Sequence, residues 1–313
     1  MAENTTGTKA DRPRPLPSRR SLLTLAWAVT LSVSLLPDIV WQSAAGTRPG
    51  WMLPAKLALL GGAVMAGFAW ETARPLRKYF VLLAALLLTE SAGGWVNGAA
   101  WWQRIIGGAA PGFAGQMLRI QILRVTGAGV MMAALLLLRF TRREFFLTRG
   151  DLNAPAAPVR WLGIDKGIGW ARLGTISAAC ISLGTLAFLV ISGRPLLAAM
   201  PRALPFLPWI LALAAMNAFG EELSYRAALL APTAAALEPG QAVLLTGVFF
   251  GIGHYYGMPN GIIGVAMAGL LGWYLGKCMV ETRGFFWPWL IHFLQDVMIF
   301  TFMCAGTILA GAK

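Results

Sequence analysis

Long apolar runs are what most restrict this chain. Stretches of 18 or more apolar residues recur along the 313-residue sequence, and a run of that length is what an α-helix needs to cross the ~30 Å hydrocarbon core of a bilayer. A membrane barrel would instead show ~10-residue segments of alternating polarity. Charged residues make up only 12% of the chain, against about 25% in a soluble domain. That leaves too little polar surface to coat a globule of this size and excludes a soluble enzyme. The expected fold is an all-α, polytopic transmembrane helical bundle of about nine spans. These are placed near residues 21–40, 52–70, 79–95, 118–138, 173–192, 207–230, 241–257, 261–277 and 286–310. A signal peptide is the rival reading of the first, because Ser43, Ala44 and Ala45 follow a basic head and an apolar stretch. The stretch is longer than the usual ~7–15 residues, so a retained anchor is expected.

The 26 Lys and Arg outnumber the 13 Asp and Glu, and their distribution explains the excess. With the N-terminus cytoplasmic, the inner segments hold Lys9, Arg12, Arg14, Arg19, Arg20, Arg74, Arg77, Lys78, Arg139, Arg142, Arg143, Arg149, Arg160, Lys166, Arg172, Lys277 and Arg283. The outer ones hold Arg48, Lys56, Arg104, Arg119, Arg194, Arg202 and Lys313. This is the positive-inside asymmetry of a multi-pass protein of the cell membrane. The charge therefore marks orientation against membrane lipids, and no nucleic-acid partner is expected. Cys180, Cys278 and Cys304 lie in or beside apolar spans and are expected to be packing residues, not a disulfide framework.

Composition divides the chain into a disordered basic cytoplasmic tail (1–20), N-terminal transmembrane helices of no evident role (21–139), a cytoplasmic linker (140–172) and a C-terminal part (173–313) that carries the chemistry. The Gly-rich, aromatic stretch 94–117 is expected to be an interfacial loop. No internal repeat of the transporter kind is present.

An ionisable side chain at mid-membrane depth costs several kcal/mol, so each one is a functional candidate. Asp38 and Glu90 are isolated; Asp38 sits at a span margin beside Pro37, and Glu90 is expected to snorkel or to pair with Arg104 or Arg119. Residues 219–226 (FGEELSYR) differ, placing two adjacent carboxylates and an arginine in one apolar helix. Residues four apart on a helix lie nearly above one another, whereas neighbours point ~100° apart. Glu222 and Arg226 are thus expected to pair as a strut and to leave Glu221 on another face as the unpaired base.

The two histidines both fall at apolar spans: His254 ends Phe250-Gly-Ile-Gly-His254, and His292 begins His292-Phe-Leu-Gln-Asp296. His292 and Asp296 share a helical face, and Gly251 and Gly253 would let a neighbouring backbone approach beside His254. Two routes to an activated water are open. Zn²⁺ could be held by Glu221, His254, His292 and Asp296. Alternatively, Glu221 assisted by His254 could deprotonate water while His292 and a partner stabilise an oxyanion. Both end in hydrolysis.

Glu221-Glu222-x-x-x-Arg226, Phe250-x-x-x-His254 and His292-x-x-x-Asp296, in this order on successive helices, resemble the CPBP intramembrane proteases, the Rce1-like CAAX-processing and bacteriocin-processing (Abi) family. The resemblance covers roughly residues 205–310. It implies a CPBP-like protease domain over 173–313 that hydrolyses a peptide bond of a membrane-associated or lipid-modified polypeptide. Glu221 and His254 would then activate water, His292 with Asp296 would stabilise the oxyanion, and Glu222, Arg226 and Phe250 would give structural support. Asp296 stands where many members carry Asn. An ionised aspartate cannot donate to an oxyanion, so it is protonated, orients His292 or binds metal. A metal-free mechanism is preferred, with zinc retained as the alternative. Other functions are a non-catalytic immunity or maturation scaffold and a proton-coupled transporter. One geometric difficulty remains: if spans 241–257 and 286–310 run in the same direction, His254 and His292 lie at opposite depths. A re-entrant segment after the helix-breaking stretch 255–261 would bring them level.

Overall fold

The computed structural model describes residues 19–106, 108, 112–192 and 194–311. Most of the expected N-terminal tail, with Lys9, Arg12 and Arg14, lies outside the described residues, as does Lys313; Arg19 and Arg20 open the first helix instead. Helices follow in the order α1 (Arg19–Val33), α2 (Leu36–Ala45), α3 (Met52–Ala69), α4 (Arg77–Gly98), α5 (Ala100–Ile105), α6 (Phe113–Leu137), α7 (Trp170–Ser192), α8 (Met200–Ala203), α9 (Leu207–Glu221), α10 (Ala228–Ala236), α11 (Pro239–Gly253), α12 (Gly261–Thr282) and α13 (Phe286–Gly311). Among the described residues there are no strands, only isolated bridges between Pro155 and Gly169 and between Val159 and Ile164. The all-α bundle is as expected.

Seven helical stretches are long and apolar enough to cross a membrane, and the α1–α2 pair, bent by 48°, raises the number to eight. The place of a ninth is taken by α11, whose 15 residues reach only ~22 Å at 1.5 Å per residue. The first expected span is broken, not straight. Pro37 has no N–H to give and its ring crowds the carbonyl four residues back, so α1 stops at Val33 and α2 restarts at Leu36. The break is held by charge: Asp38 accepts from Lys56 and, at 2.6 Å, from Arg48 Nε, while Lys56 Nζ also donates to the Ser34 carbonyl at 2.6 Å. The expected interfacial loop at 94–117 is also largely helical, comprising the end of α4, α5 and the start of α6.

One apolar core joins the two halves of the chain. Leu22, Leu60, Phe80, Leu83 and Met131 pack in the same cluster as Leu223, Ala228, Leu230 and Met279. Glycine lets α11 and α12 pack backbone to backbone: a Cβ on Gly251 would lie 2.6 Å from the Val265 carbonyl, and one on Gly247 2.8 Å from the Trp273 nitrogen. Gly253, expected to share this duty, faces open space. Residues 140–169 are fastened to the α12–α13 turn, with Asp151 N donating to Thr282 O and Phe285 N to Thr148 O, each at 2.8 Å. The Trp170 indole N–H donates to Glu281 at 2.9 Å, and Glu281 in turn pairs with Lys277.

Candidate active site

The site is centred on the seam between α9 and α10. There the chain makes a π-helical stretch, Glu222–Ala227, between two α-helical segments. A π turn inserts an extra residue per turn and re-aims the side chains around it, and such stretches often occur at functional sites. Glu222 and Arg226 remain one turn apart and pair at 2.5 Å as expected; they are 0% and 1% exposed. Arg226 also lies over the Phe250 ring, 4.1 Å from its centroid, so the three expected support residues form one connected unit. Glu222 does more than brace Arg226. Its Oε1 accepts from His292 Nδ1 at 2.7 Å, which fixes the orientation of that imidazole and turns Nε2 toward Glu221 and Asp296.

The unpaired state expected for Glu221 does not hold. Arg124 Nη1, from α6, donates to its Oε1 at 2.6 Å, because a carboxylate at this depth gains more from a guanidinium than from isolation. The second oxygen, Oε2, stays on the His292 side, 3.7 Å from Nε2. Asp296 Oδ2 lies 3.6 Å from the same nitrogen. Both separations are too long for a hydrogen bond, so the three atoms rim a gap that a substrate or water oxygen could bridge. His292 and Asp296 do share a face of α13.

Sequence reasoning missed three residues here. Arg124 also donates to Asn217 Oδ1, Gln121 Nε2 donates to the same oxygen at 3.2 Å, and Asn217 Nδ2 donates to Asp296 Oδ2 at 2.8 Å. Arg124 carried a legible signal, as a cation in mid-span. Asn217 lies four residues before Glu221 and so shares its face. Among the described residues no ion pair joins Glu90 to Arg104 or Arg119. Arg119 instead donates to the Ile106 carbonyl at 3.3 Å, while Glu90 lines a cavity of about 30 Å³ with Arg124, Gly220, Glu221, Ser224 and Tyr225. A space of that size holds about one or two waters and touches the carboxylate that would activate one.

His254 caps α11 and is half-buried, its Nδ1 3.0 Å from the Phe250 carbonyl. A carbonyl only accepts, so Nδ1 carries the hydrogen and Nε2 is the basic nitrogen of the neutral ring. The expected depth conflict with His292 is resolved by the short α11, and no re-entrant segment is involved, since α12 is a full 22-residue helix. α10 and α11 are an antiparallel hairpin, and Arg226 meets Phe250. One turn farther from the hairpin bend are Glu222 on one arm and His254 on the other, so His254 is level with the partner of His292. Among the described residues no hydrogen bond joins His254 to Glu221.

The same geometry is a poor fit for zinc. Among the described residues no group of three or more His, Cys, Asp or Glu side chains is arranged to hold a metal ion. Arg124 also occupies one oxygen of Glu221, where a dication would meet its repulsion.

Residues 203–298 match the Rce1-like family, described as type II CAAX prenyl endopeptidase. The C-terminal half thus carries an Rce1-like domain. The matched residues include Glu221, Glu222, Arg226, His254, His292, Asp296 and Asn217, but not Arg124 or Gln121. No curated protein and no solved structure matches the chain.

Proposed function

We propose that this chain is a working intramembrane endopeptidase that cleaves a membrane-associated or lipid-modified polypeptide, with Glu221 as the base. The observation that carries the reading is the convergence of Glu221 Oε2, His292 Nε2 and Asp296 Oδ2 on one gap, with a cavity of water size at Glu221. Arg124 keeps hold of Oε1 and leaves Oε2 to take a proton. His254 Nε2 assists from the α11 side.

A water oxygen bonds to the substrate carbonyl carbon as its proton passes to Glu221. The carbonyl electron pair moves onto oxygen, on the side lined by His292 and Asp296. Collapse of that adduct breaks the C–N bond, and the proton held by Glu221 goes to the departing amine. Glu222, Arg226 and Phe250 hold the frame. With the N-terminus cytoplasmic, the 140–169 segment faces the cytoplasm, and the protease domain extends over 173–313.

The test uses the full chain in liposomes with a farnesylated peptide ending in a CAAX sequence, reading release of the C-terminal tripeptide by mass spectrometry. Wild type is expected to cleave, and Glu221→Gln to be silent at unchanged melting temperature. Cleavage by Glu221→Gln at the wild-type rate would refute the base assignment. A folded wild type that cleaves neither farnesylated nor unmodified peptides would favour a non-catalytic immunity or maturation scaffold.

A further inference from the structure

The gap beside His292 is rich in acceptors and poor in donors. Glu221 and Asp296 both face it, and an ionised carboxylate offers no hydrogen. Amide hydrolysis nevertheless builds negative charge on the former carbonyl oxygen, and fixed N–H donors aimed there are usually the largest single catalytic contribution. The side-chain amide of Asn217 reaches the rim of this gap. It is 4% exposed and sits on α9, one turn before Glu221. Its orientation is set from behind: Oδ1 accepts from Arg124 and from Gln121, so the nitrogen must face the other way, where it donates to Asp296 Oδ2 at 2.8 Å. An amide nitrogen carries two hydrogens, and Asp296 takes one.

We propose that Asn217 is a catalytic residue of this site, its second amide hydrogen donating to the substrate carbonyl oxygen as that oxygen becomes anionic. Asp296 serves as the acceptor that holds the amide in place. The inference rests on the endopeptidase reading above. It also gives an aspartate at 296 a purpose: Asn217 and Asp296 form a donor–acceptor pair, and the donor can sit on either member. In the double exchange Asn217→Asp with Asp296→Asn, the new carboxylate still accepts from Arg124 and Gln121, and the new amide donates to it and keeps one hydrogen for the gap.

The same liposome assay tests this with the farnesylated peptide as probe. Asn217→Ala is expected to lower kcat about 10²–10³-fold with KM changed less than about threefold, since the donor acts on the transition state. The double exchange is expected to recover kcat to within about tenfold of wild type, and the fall of kcat at nearly constant KM in folded Asn217→Ala is what a purely structural role would not produce. Should Asn217→Ala not fold, the comparison of folded Asn217→Asp, expected inactive, with the double exchange decides the matter. The proposal is overturned if Asn217→Ala keeps more than about a third of wild-type kcat, or if the folded double exchange is as inactive as the single variant. The two readings separate cleanly. Wild-type cleavage with an active Asn217→Ala removes only Asn217, whereas a folded wild type that cleaves neither farnesylated nor unmodified peptide removes the endopeptidase assignment and Asn217 with it.

Discussion

Two clusters of buried charge lie in this bundle, and they are built differently. In the N-terminal half, Asp38 is 1% exposed and both its oxygens are taken, one by Lys56 and one by Arg48, while Lys56 spends a further hydrogen on the Ser34 carbonyl. That cluster closes on itself and splints the kink at Pro37. In the C-terminal half, Glu221, Glu222, Arg226, His292 and Asp296 are also paired, with Arg124 reaching in from α6, yet Glu221 Oε2 and Asp296 Oδ2 stay 3.7 and 3.6 Å from His292 Nε2 around a gap. Burial of charge alone therefore does not mark a reaction site. What distinguishes the second cluster is polar atoms held in place by their outer partners while their inner faces are left for something else.

The contrast can be broken at four points, in descending order of effect. Arg226→Ala leaves Glu222 buried with one partner fewer and should cost about 3–5 kcal/mol, read as a collapse of thermal stability in detergent with activity lost alongside it. Arg124→Gln removes the guanidinium from Glu221 and Asn217 but leaves a hydrogen-bonding side chain. Misplacement of the reacting groups should lower kcat about 10²-fold, with a melting temperature close to wild type; an unchanged kcat would show that the α6 contact is only packing. Asp38→Asn weakens the closed cluster without emptying it, and about 1–3 kcal/mol of stability should be lost. Its kcat in the peptide assay should match wild type, and a fall in kcat at constant KM would mean that the two clusters are coupled. Tyr256→Phe deletes the exposed 2.6 Å hydrogen bond to Gln42 that ties the turn after His254 to α2. It should cost only about 0.5–1.5 kcal/mol, visible as a small shift in melting temperature and no change in cleavage.

What could be read from the sequence was whatever a single helix decides. The Glu222–Arg226 pair and the shared face of His292 and Asp296 follow from a spacing of four, and the Gly251 contact from the absence of a side chain. The apolar runs placed the helices within a few residues. What could not be read depends on which helices become neighbours. Arg124 meets Glu221 across 97 positions, and Gln121 meets Asn217 across 96. No periodicity encodes those meetings. Chain proximity offers Glu90 the choice of snorkelling or of pairing with Arg104 or Arg119, whereas packing places it on one cavity wall with Arg124. The depth of His254 was misjudged for a related reason. An apolar run that continues through Tyr255 and Tyr256 looks like a full span, but the helix stops at Gly253.

The short α11 has a consequence for the surrounding lipid. A rod of ~22 Å cannot match a layer of ~30 Å, and such hydrophobic mismatch is relieved by drawing the headgroups inward over the short side. In a bilayer around this bundle, the thinnest place would be beside the exposed turn that follows His254. A polar backbone arriving from the aqueous phase has the least oil to traverse at the spot where it would be cut.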